Sequence, residues 1–281
     1  MIPQRNLSLL SNELARQGGQ RIPEAVLERD YCLSWFLVGI SQTAFLQESL
    51  VFKGGTAIKK CYIPDYRFSE DLDFTLVKEV AFEEIQKGLE EAFKVIERRS
   101  GIKFHFSRLD RNTHQNSHTF FLTYEGPLPR VSPQEIKVDI TIRECLAFPI
   151  LKKPVLKGYK QYEDLPEDAG VRIYSLGEIA AEKVVALCDR ARNEPRDLYD
   201  LWQLSANQHI AVEDLIGAIS EKLKFRGKSL EIVRDEFLRK EARLKKLWKL
   251  RLSSEMAALP EFDGVYRAVK RELRQSGMVG P

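Results

Sequence analysis

The stretch VFKGGTAIKKCYIPDYRFSEDLDFTL, residues 51–76, constrains this chain more than any other. An apolar run ends in two glycines, and a second apolar run opens on two aspartates one residue apart. LVFKGG reads as a short buried strand ending in a turn. TAIKKCYI reads as a helix behind it with Thr56 as N-terminal cap, and DLDFTLV as the next strand. Asp71 and Asp73, two apart on a strand, project from the same face. Carboxylates that close repel each other unless a proton or a cation lies between them. With no His or Cys cluster to compete, all-oxygen ligation favours Mg²⁺ or Mn²⁺.

A later strand, EIKVDITIRE, offers a third carboxylate in Asp139, with Lys137 on the same face. If the two strands are neighbours, Asp71, Asp73 and Asp139 form a candidate metal site. That donor set suits in-line phosphoryl chemistry, in which carboxylates hold the metal, the metal holds a triphosphate, and one aspartate activates the attacking hydroxyl. Gly54 and Gly55 fit the same purpose, because backbone N–H groups without a Cβ in the way can approach phosphate oxygens at a helix start. A lone Gly-Gly is an ordinary turn, and a lone Asp-x-Asp is commonly a solvated strand end. In this order, with a third aspartate downstream, the combination is far more specific.

Elsewhere the periodicity predicts helices over 6–17, 22–46 and about 80–99. IKFHFSRLD and SHTFFLTYEG alternate as an antiparallel hairpin around a polar turn that holds His114 and His118, both read as surface residues. From Ser175 the helical period takes over, so the chain divides into an α/β part, 1–155, and a helical part, 156–281, with the change spread over 145–172. The class is α+β: a mixed sheet with flanking helices, then a mainly helical C-terminal domain. Cys32, Cys61, Cys145 and Cys188 are scattered, which excludes a zinc ribbon and a disulfide framework. No segment has signal-peptide or membrane-spanning character, so a reduced, cytoplasmic protein with no membrane partner is expected. The net charge of +3 on 281 residues implies no partner by itself; only its distribution could.

KGGT…RFSEDLDF resembles the signature of the nucleotidyltransferase fold, and within it the AbiEii/AbiGii toxin family, which includes the MenT-type toxins. The family pattern is a Gly-Gly-Thr turn followed by Arg-x-Ser-x-Asp-hydrophobic-Asp-Phe, matched by Thr56, Arg67, Ser69, Asp71, Asp73 and Phe74. Upstream, VLERDYCLSWFL is similar to the family's Glu-Lys-Asp-Tyr helix, with Arg29 at the Lys position. Downstream, SLGEIAAEKVVALCDRARNEPRDLYDLW is similar to its second signature. The resemblance spans about 24 to 204 in the right order. It implies an NTP substrate, a divalent metal, a cognate antitoxin, and nucleotide contacts from Gly54, Gly55, Thr56, Arg67, Ser69 and Lys137. Ser69 would lie near the triphosphate so placed, where its hydroxyl contacts a phosphate or the metal shell, or is itself a phosphorylation site; a serine that stabilises the turn is the plain alternative.

In the second signature, Lys183 and Arg190 fall seven apart on one predicted helix face, Pro195 breaks that helix, and Arg196, Asp197 and Asp200 open the next. On pattern alone this is equally a solvated helical hairpin. The resemblance implies instead that Lys183, with Arg190 and Arg196, meets the nucleotide phosphates and that Asp197 or Asp200 completes the catalytic set. Tyr199 and Trp202 are expected in the core.

Between Lys222 and Arg251 the basic residues far outnumber the acids. Arg239, Arg243, Lys246 and Lys249, with Lys240 and Arg251 nearby, would form a cationic face, either a solubilising surface or a phosphate-backbone footprint. The latter makes RNA, and tRNA above all, the expected acceptor. The leading expectation is a Mg²⁺-dependent nucleotidyltransferase toxin that transfers a nucleoside monophosphate to the tRNA 3′ end and so blocks translation. A small-molecule or protein acceptor is the alternative within enzymes. A non-catalytic RNA- or partner-binding module is the alternative outside them, and three clustered carboxylates without a metal argue against it.

Overall fold

A computed structural model describes residues 1–280 apart from 18, 112–114 and 130–133. His114 and the middle of the Pro-rich connection therefore lie outside the described residues. The chain separates into two compact units, Met1–Arg143 with Ile150–Ile173, and Glu144–Pro149 with Tyr174–Pro281.

The first unit opens with α1 (Gln4–Arg16), α2 (Glu24–Gln42) and α3 (Ala44–Ser49). Next come β1 (Leu50–Lys53), α4 (Gly54–Cys61), β2 (Leu72–Leu76) and α5 (Phe82–Ser100). The strands β3 (Lys103–Leu109), β4 (Ser117–Glu125), β5 (Gln134–Thr141), β6 (Leu151–Pro154) and β7 (Gly170–Ile173) complete it. Among the described residues they form one seven-stranded mixed sheet in the order β3-β4-β5-β2-β1-β7-β6. The β2–β5 and β1–β7 pairs are parallel and the rest antiparallel. This is the flanked mixed sheet expected from the strand and helix pattern.

Strand alternation sorts the side chains. Leu72, Phe74, Phe120, Leu122, Ile136, Val138 and Ile140 are buried. On that side the ring of Phe36 in α2 lies 6.5 Å from Phe74 and 5.7 Å from Phe104, and Phe93 in α5 stacks on Phe104 at 5.9 Å. The alternate positions Asp73, Phe121, Lys137 and Asp139 are part-exposed, as expected of strands covered on one face only. Gly39 lets α2 and α5 approach closely, since a Cβ there would stand 2.7 Å from Ile96 Cδ1.

The expected helix over 22–46 is two helices. Thr43 leaves helical geometry at φ −103° and ψ 102°, and its hydroxyl turns back to the Gly39 carbonyl at 3.0 Å. Residues 156–173, grouped by composition with the helical half, return to the sheet, where β7 pairs with both β1 and β6. His118 lies within β4, its ring 4.9 Å from that of Phe82, so packing rather than a surface turn surrounds it.

The second unit contains α6 (Leu176–Leu187), α7 (Pro195–Asn207), α8 (Ile216–Phe225), α9 (Leu230–Val233), α10 (Glu241–Leu252) and α11 (Phe262–Gln275). Ser175 caps α6 by accepting from the Glu178 N–H at 3.1 Å, and Pro195 stands in the first turn of α7, where a missing N–H costs nothing. Its core gathers Tyr199, Phe237, Trp248, Phe262 and Tyr266, with Trp248 edge-on to Phe262 at 5.6 Å. Tyr199 is buried, and its ring lies 5.8 Å from Trp202 and 6.4 Å from Trp248.

Candidate active site

The register of four strands sets one row of side chains. Lys53 on β1 is the Cα partner of Asp73 on β2, Asp73 pairs with Asp139 on β5, and Asp139 pairs with Thr119 on β4. Partners in neighbouring strands point to the same face, about 5 Å apart. The two aspartates therefore face each other without a long side chain having to reach. Thr119 donates its hydroxyl proton to Asp139 Oδ2 at 3.1 Å, and Lys137 Nζ stands 3.9 Å from the same oxygen. Asp71 lies just before β2, and both Asp71 and Asp73 alternate with the buried Leu72 and Phe74.

Gly54 takes φ +81°, a left-handed value that glycine adopts without penalty. A Cβ there would lie 2.6 Å from Asp73 Oδ2 and 3.3 Å from Asp73 Cβ. The Asp73 carboxylate thus occupies the space that any larger residue at 54 would need.

α4 starts at Gly54 itself, with Lys53 at the cap position. Thr56 is therefore inside the helix and does not cap it. Its hydroxyl reaches outward instead, lying 2.6 Å from both Ser69 Oγ and the Asp71 carbonyl oxygen. This ties the loop that carries Ser69 and Asp71 to the helix behind the glycine turn. Lys59 holds the same loop from within. Its ammonium donates to the carbonyls of Pro64 and Tyr66, each at 3.0 Å, and to the Tyr159 hydroxyl at 3.2 Å, and it sits 4.2 Å from the Phe68 ring centre. Burial pushes Lys59 down to about 8, against the opposing pull of Asp30. Arg67 is buried and reaches the Phe68 carbonyl at 3.3 Å, so its guanidinium is held within the loop.

The residues of the ERDY stretch on α2 each bind a different segment. Glu28 accepts from the Leu128 N–H at 2.7 Å, Arg29 pairs with Glu70 at 3.1 Å, Asp30 pairs with Lys60 at 2.7 Å, and Tyr31 donates to Asp164 at 2.6 Å. Lys60 and Asp30 are both buried and so fix α4 against α2. Arg29 does the same for the loop before β2.

The second unit holds another constellation. Lys183 on α6 lies 2.8 Å from Asp197 and 2.7 Å from Asp200 on α7. Arg192 adds a 2.6 Å pairing from its Nε to the other oxygen of Asp197. Burial pushes the Asp197 carboxyl up, but the neighbouring Lys183 and Arg192 outweigh it and hold the group below its ordinary range. Arg190, expected on the helix face with Lys183, is exposed in the turn after α6, because that helix ends at Leu187. Arg192, two residues on in the loop after α6, is the arginine that pairs with Asp197. Arg196 faces Glu255 at 3.2 Å and Glu194 at 3.5 Å.

Two lysines of the basic stretch are not surface charges. Lys222 is 0% exposed and pairs with Glu178 at 2.5 Å while donating to the Cys145 carbonyl at 2.7 Å. Lys240 is buried and donates to the carbonyls of Asp189 and Arg192 at 2.8 and 2.7 Å, which holds the loop after α6. Arg243, Lys246 and Lys249 are exposed on α10, and Arg239 just before it pairs with Glu236 at 2.5 Å.

Among the described residues no three His, Cys, Asp or Glu side chains come close enough together to hold a cation by themselves. The facing Asp73–Asp139 pair, with Asp71 one alternation away, nevertheless suits Mg²⁺, which is commonly bound by one or two carboxylates and completes its shell with water and substrate phosphate oxygens. Among the described residues no helix is long and apolar enough to cross a membrane.

Residues 35–268 match the model of the family described as nucleotidyl transferase AbiEii toxin, type IV toxin–antitoxin system. Among solved structures, the nucleotidyltransferase toxin MenT4 of Mycobacterium tuberculosis H37Rv aligns with a TM-score of 0.65 at 17% identity, covering 96% of this chain and 89% of that one. A protein from H. pylori described as a nucleotidyltransferase aligns with a TM-score of 0.54 at 19% identity, covering 91% and 96%. At such identities these two likenesses concern the fold. Curated protein sequences provide no match.

Proposed function

This chain belongs to the AbiEii family of nucleotidyl transferase toxins of type IV toxin–antitoxin systems, and from that premise we propose that it transfers a nucleoside monophosphate from an NTP to the 3′ end of tRNA. The row Lys53–Asp73–Asp139 beside the left-handed Gly54 carries this reading. It puts two carboxylates, a lysine and a glycine turn side by side on three central strands of the sheet.

Mg²⁺ (or Mn²⁺), when bound, supplies charge neutralisation of the triphosphate and of the leaving pyrophosphate. Asp71 and Asp73 would hold it, with Asp139 assisting. The Gly54–Gly55 turn at the start of α4 directs backbone N–H groups at phosphate oxygens. Within the second unit, Asp197 and Asp200 hold Lys183 as a point charge of the kind that suits phosphate. Ser69, whose hydroxyl is set by Thr56, adds a further phosphate contact, and Arg67 acts by shaping the loop that carries it. Asp139 takes the proton of the attacking hydroxyl. The new bond joins that oxygen to the α-phosphorus, and the bond from the α-phosphorus to the α,β-bridging oxygen breaks as pyrophosphate leaves. A tRNA capped in this way accepts no amino acid, so translation stops. The substrates and acceptor are cytoplasmic, and a cognate antitoxin restrains the activity.

Purified protein incubated with total tRNA, Mg²⁺ and each α-³²P-labelled NTP in turn tests the proposal. Label entering RNA from one or more NTPs, and absent with Asp71→Ala, is the expected result. Labelling that survives Asp71→Ala, or no labelled RNA with any NTP, refutes it.

A further inference from the structure

The open face of the sheet continues past the aspartates onto β4 and β3, and there it carries a feature that phosphate chemistry does not need. Phe121 on β4 is the Cα partner of Lys137 on β5, two residues along the strand from the Asp139–Thr119 pair. By strand spacing that places Phe121 roughly 8 Å from Asp139 on the same face. A large apolar ring on the uncovered side of a sheet is out of keeping with its neighbours Ser117, Thr119 and Thr123 at alternate positions of β4.

The facing strand is built to reach that ring. Between Phe106 and Arg108 the β3–β4 register shifts, so that Phe106 opposes Leu122 and Arg108 opposes Phe121. In a regular strand Arg108 would follow Phe104 and Phe106 to the buried side; the extra residue turns it to the open side. Its guanidinium carbon then stands 3.7 Å from the Phe121 ring centre. Glu135 on β5 fixes the plane with two bonds, accepting from Arg108 Nη2 at 2.9 Å and from Nε at 3.2 Å, while Ser107 donates to the same carboxylate at 3.0 Å. The Arg108 charge is thus balanced locally, and its side chain stays 48% exposed. A flat, anchored guanidinium over an aromatic ring is a stacking surface for another planar group.

We infer that the Arg108–Phe121 pair is a platform on which a nucleobase of the RNA acceptor, the base of its 3′-terminal nucleotide, stacks while the ribose hydroxyl is presented to Asp139. Lys137 lies between platform and aspartate, its side chain 40% exposed and placed for the acceptor's backbone phosphate. The flat guanidinium surface and its continuity with the carboxylate row favour a nucleobase over an apolar partner. The inference rests on the RNA-acceptor reading above, and deepens it by naming where the acceptor sits.

The test compares wild type with Phe121→Leu, Phe121→Trp and Arg108→Ala, measuring KM for tRNA and for the NTP separately. A second tRNA preparation has its 3′-terminal base removed and its ribose intact. Losing one stacked base corresponds to a fivefold or larger weakening, on the order found for aromatic–base contacts. Phe121→Leu and Arg108→Ala are expected to raise the tRNA KM by about that factor with the NTP KM unchanged, while Phe121→Trp stays near wild type. On the abasic tRNA, wild type and Phe121→Leu should be equal, which a merely structural role for the ring would not produce. An NTP KM that rises in step assigns the platform to the nucleotide and overturns the inference. So does a tRNA KM that does not move while wild type still labels RNA, and that result leaves the acceptor reading standing. If wild type labels no RNA at all, the acceptor reading fails and the platform falls with it.

Discussion

Replacing Gly54 by alanine adds one methyl group at the point where turn and carboxylate meet. Two costs follow. The backbone must keep φ near +81° with a Cβ present, which costs about 1–2 kcal/mol for a non-glycine residue. The new carbon also stands 2.6 Å from Asp73 Oδ2, against the 3.4 Å of ordinary contact. The oxygen must therefore retreat by roughly 0.8 Å, the difference between those two distances. Rotation of the carboxylate alone does not free the space, because Asp73 Cβ and Cγ lie at 3.3 Å. Displacement of a reacting group by about 1 Å costs on the order of 100-fold in rate. Gly158→Ala separates the two effects: Gly158 has φ +77° but nothing within 4 Å of an added Cβ. Urea denaturation should show a loss of about 1–2 kcal/mol for Gly158→Ala and a larger one for Gly54→Ala, which adds the clash with Asp73. Single-turnover labelling of tRNA at saturating NTP should fall about 100-fold for Gly54→Ala only. Wild-type turnover in Gly54→Ala, or an equal loss in Gly158→Ala, would refute the argument that Gly54 exists to seat Asp73.

Lys222→Met should destabilise the protein by about 3–5 kcal/mol, because it leaves the buried Glu178 and its acidic neighbours without their cation; a second change, Glu178→Gln, should restore part of the denaturation midpoint. Asp197 should contribute acid sensitivity. Its folded carboxyl lies below the ordinary 3.8, so below that value the unfolded chain takes up the proton first, and the stability present above it is lost as pH falls further. Urea midpoints between pH 6 and 3 should thus fall less steeply in Asp197→Asn than in wild type. Arg192→Met should lower kcat with a smaller effect on KM for tRNA, since it acts through Asp197 on Lys183; an unchanged rate would make the Arg192 pairing purely structural. Charge reversal at Arg243, Lys246 and Lys249 should reduce the salt slope of tRNA binding by roughly one for each phosphate contact removed, measured by filter binding across salt concentrations.

Sequence alone determined the local chemistry. Two glycines after an apolar run and carboxylates at strand spacing are patterns within a few residues, and the chain folds there as those residues dictate: β1, the turn, α4, and β2 with Asp73 among buried neighbours. The strand alternation of β4 and β5 was equally legible, because one face of each is buried. Tertiary pairing decided the rest. Nothing local says that β2 and β5 run parallel with Asp73 opposite Asp139, since the strands are separated by α5 and a hairpin. Nor does a count of basic residues distinguish Lys222 and Lys240, which are desolvated inside the second unit, from Arg243 on its surface. The end of α6 left Arg190 exposed beyond the helix that carries Lys183, and one extra residue in β3 turned Arg108 onto Phe121. Periodicity records which side of its own element a residue occupies; which element lies across from it depends on contacts distant in the chain, and those form only in the folded state.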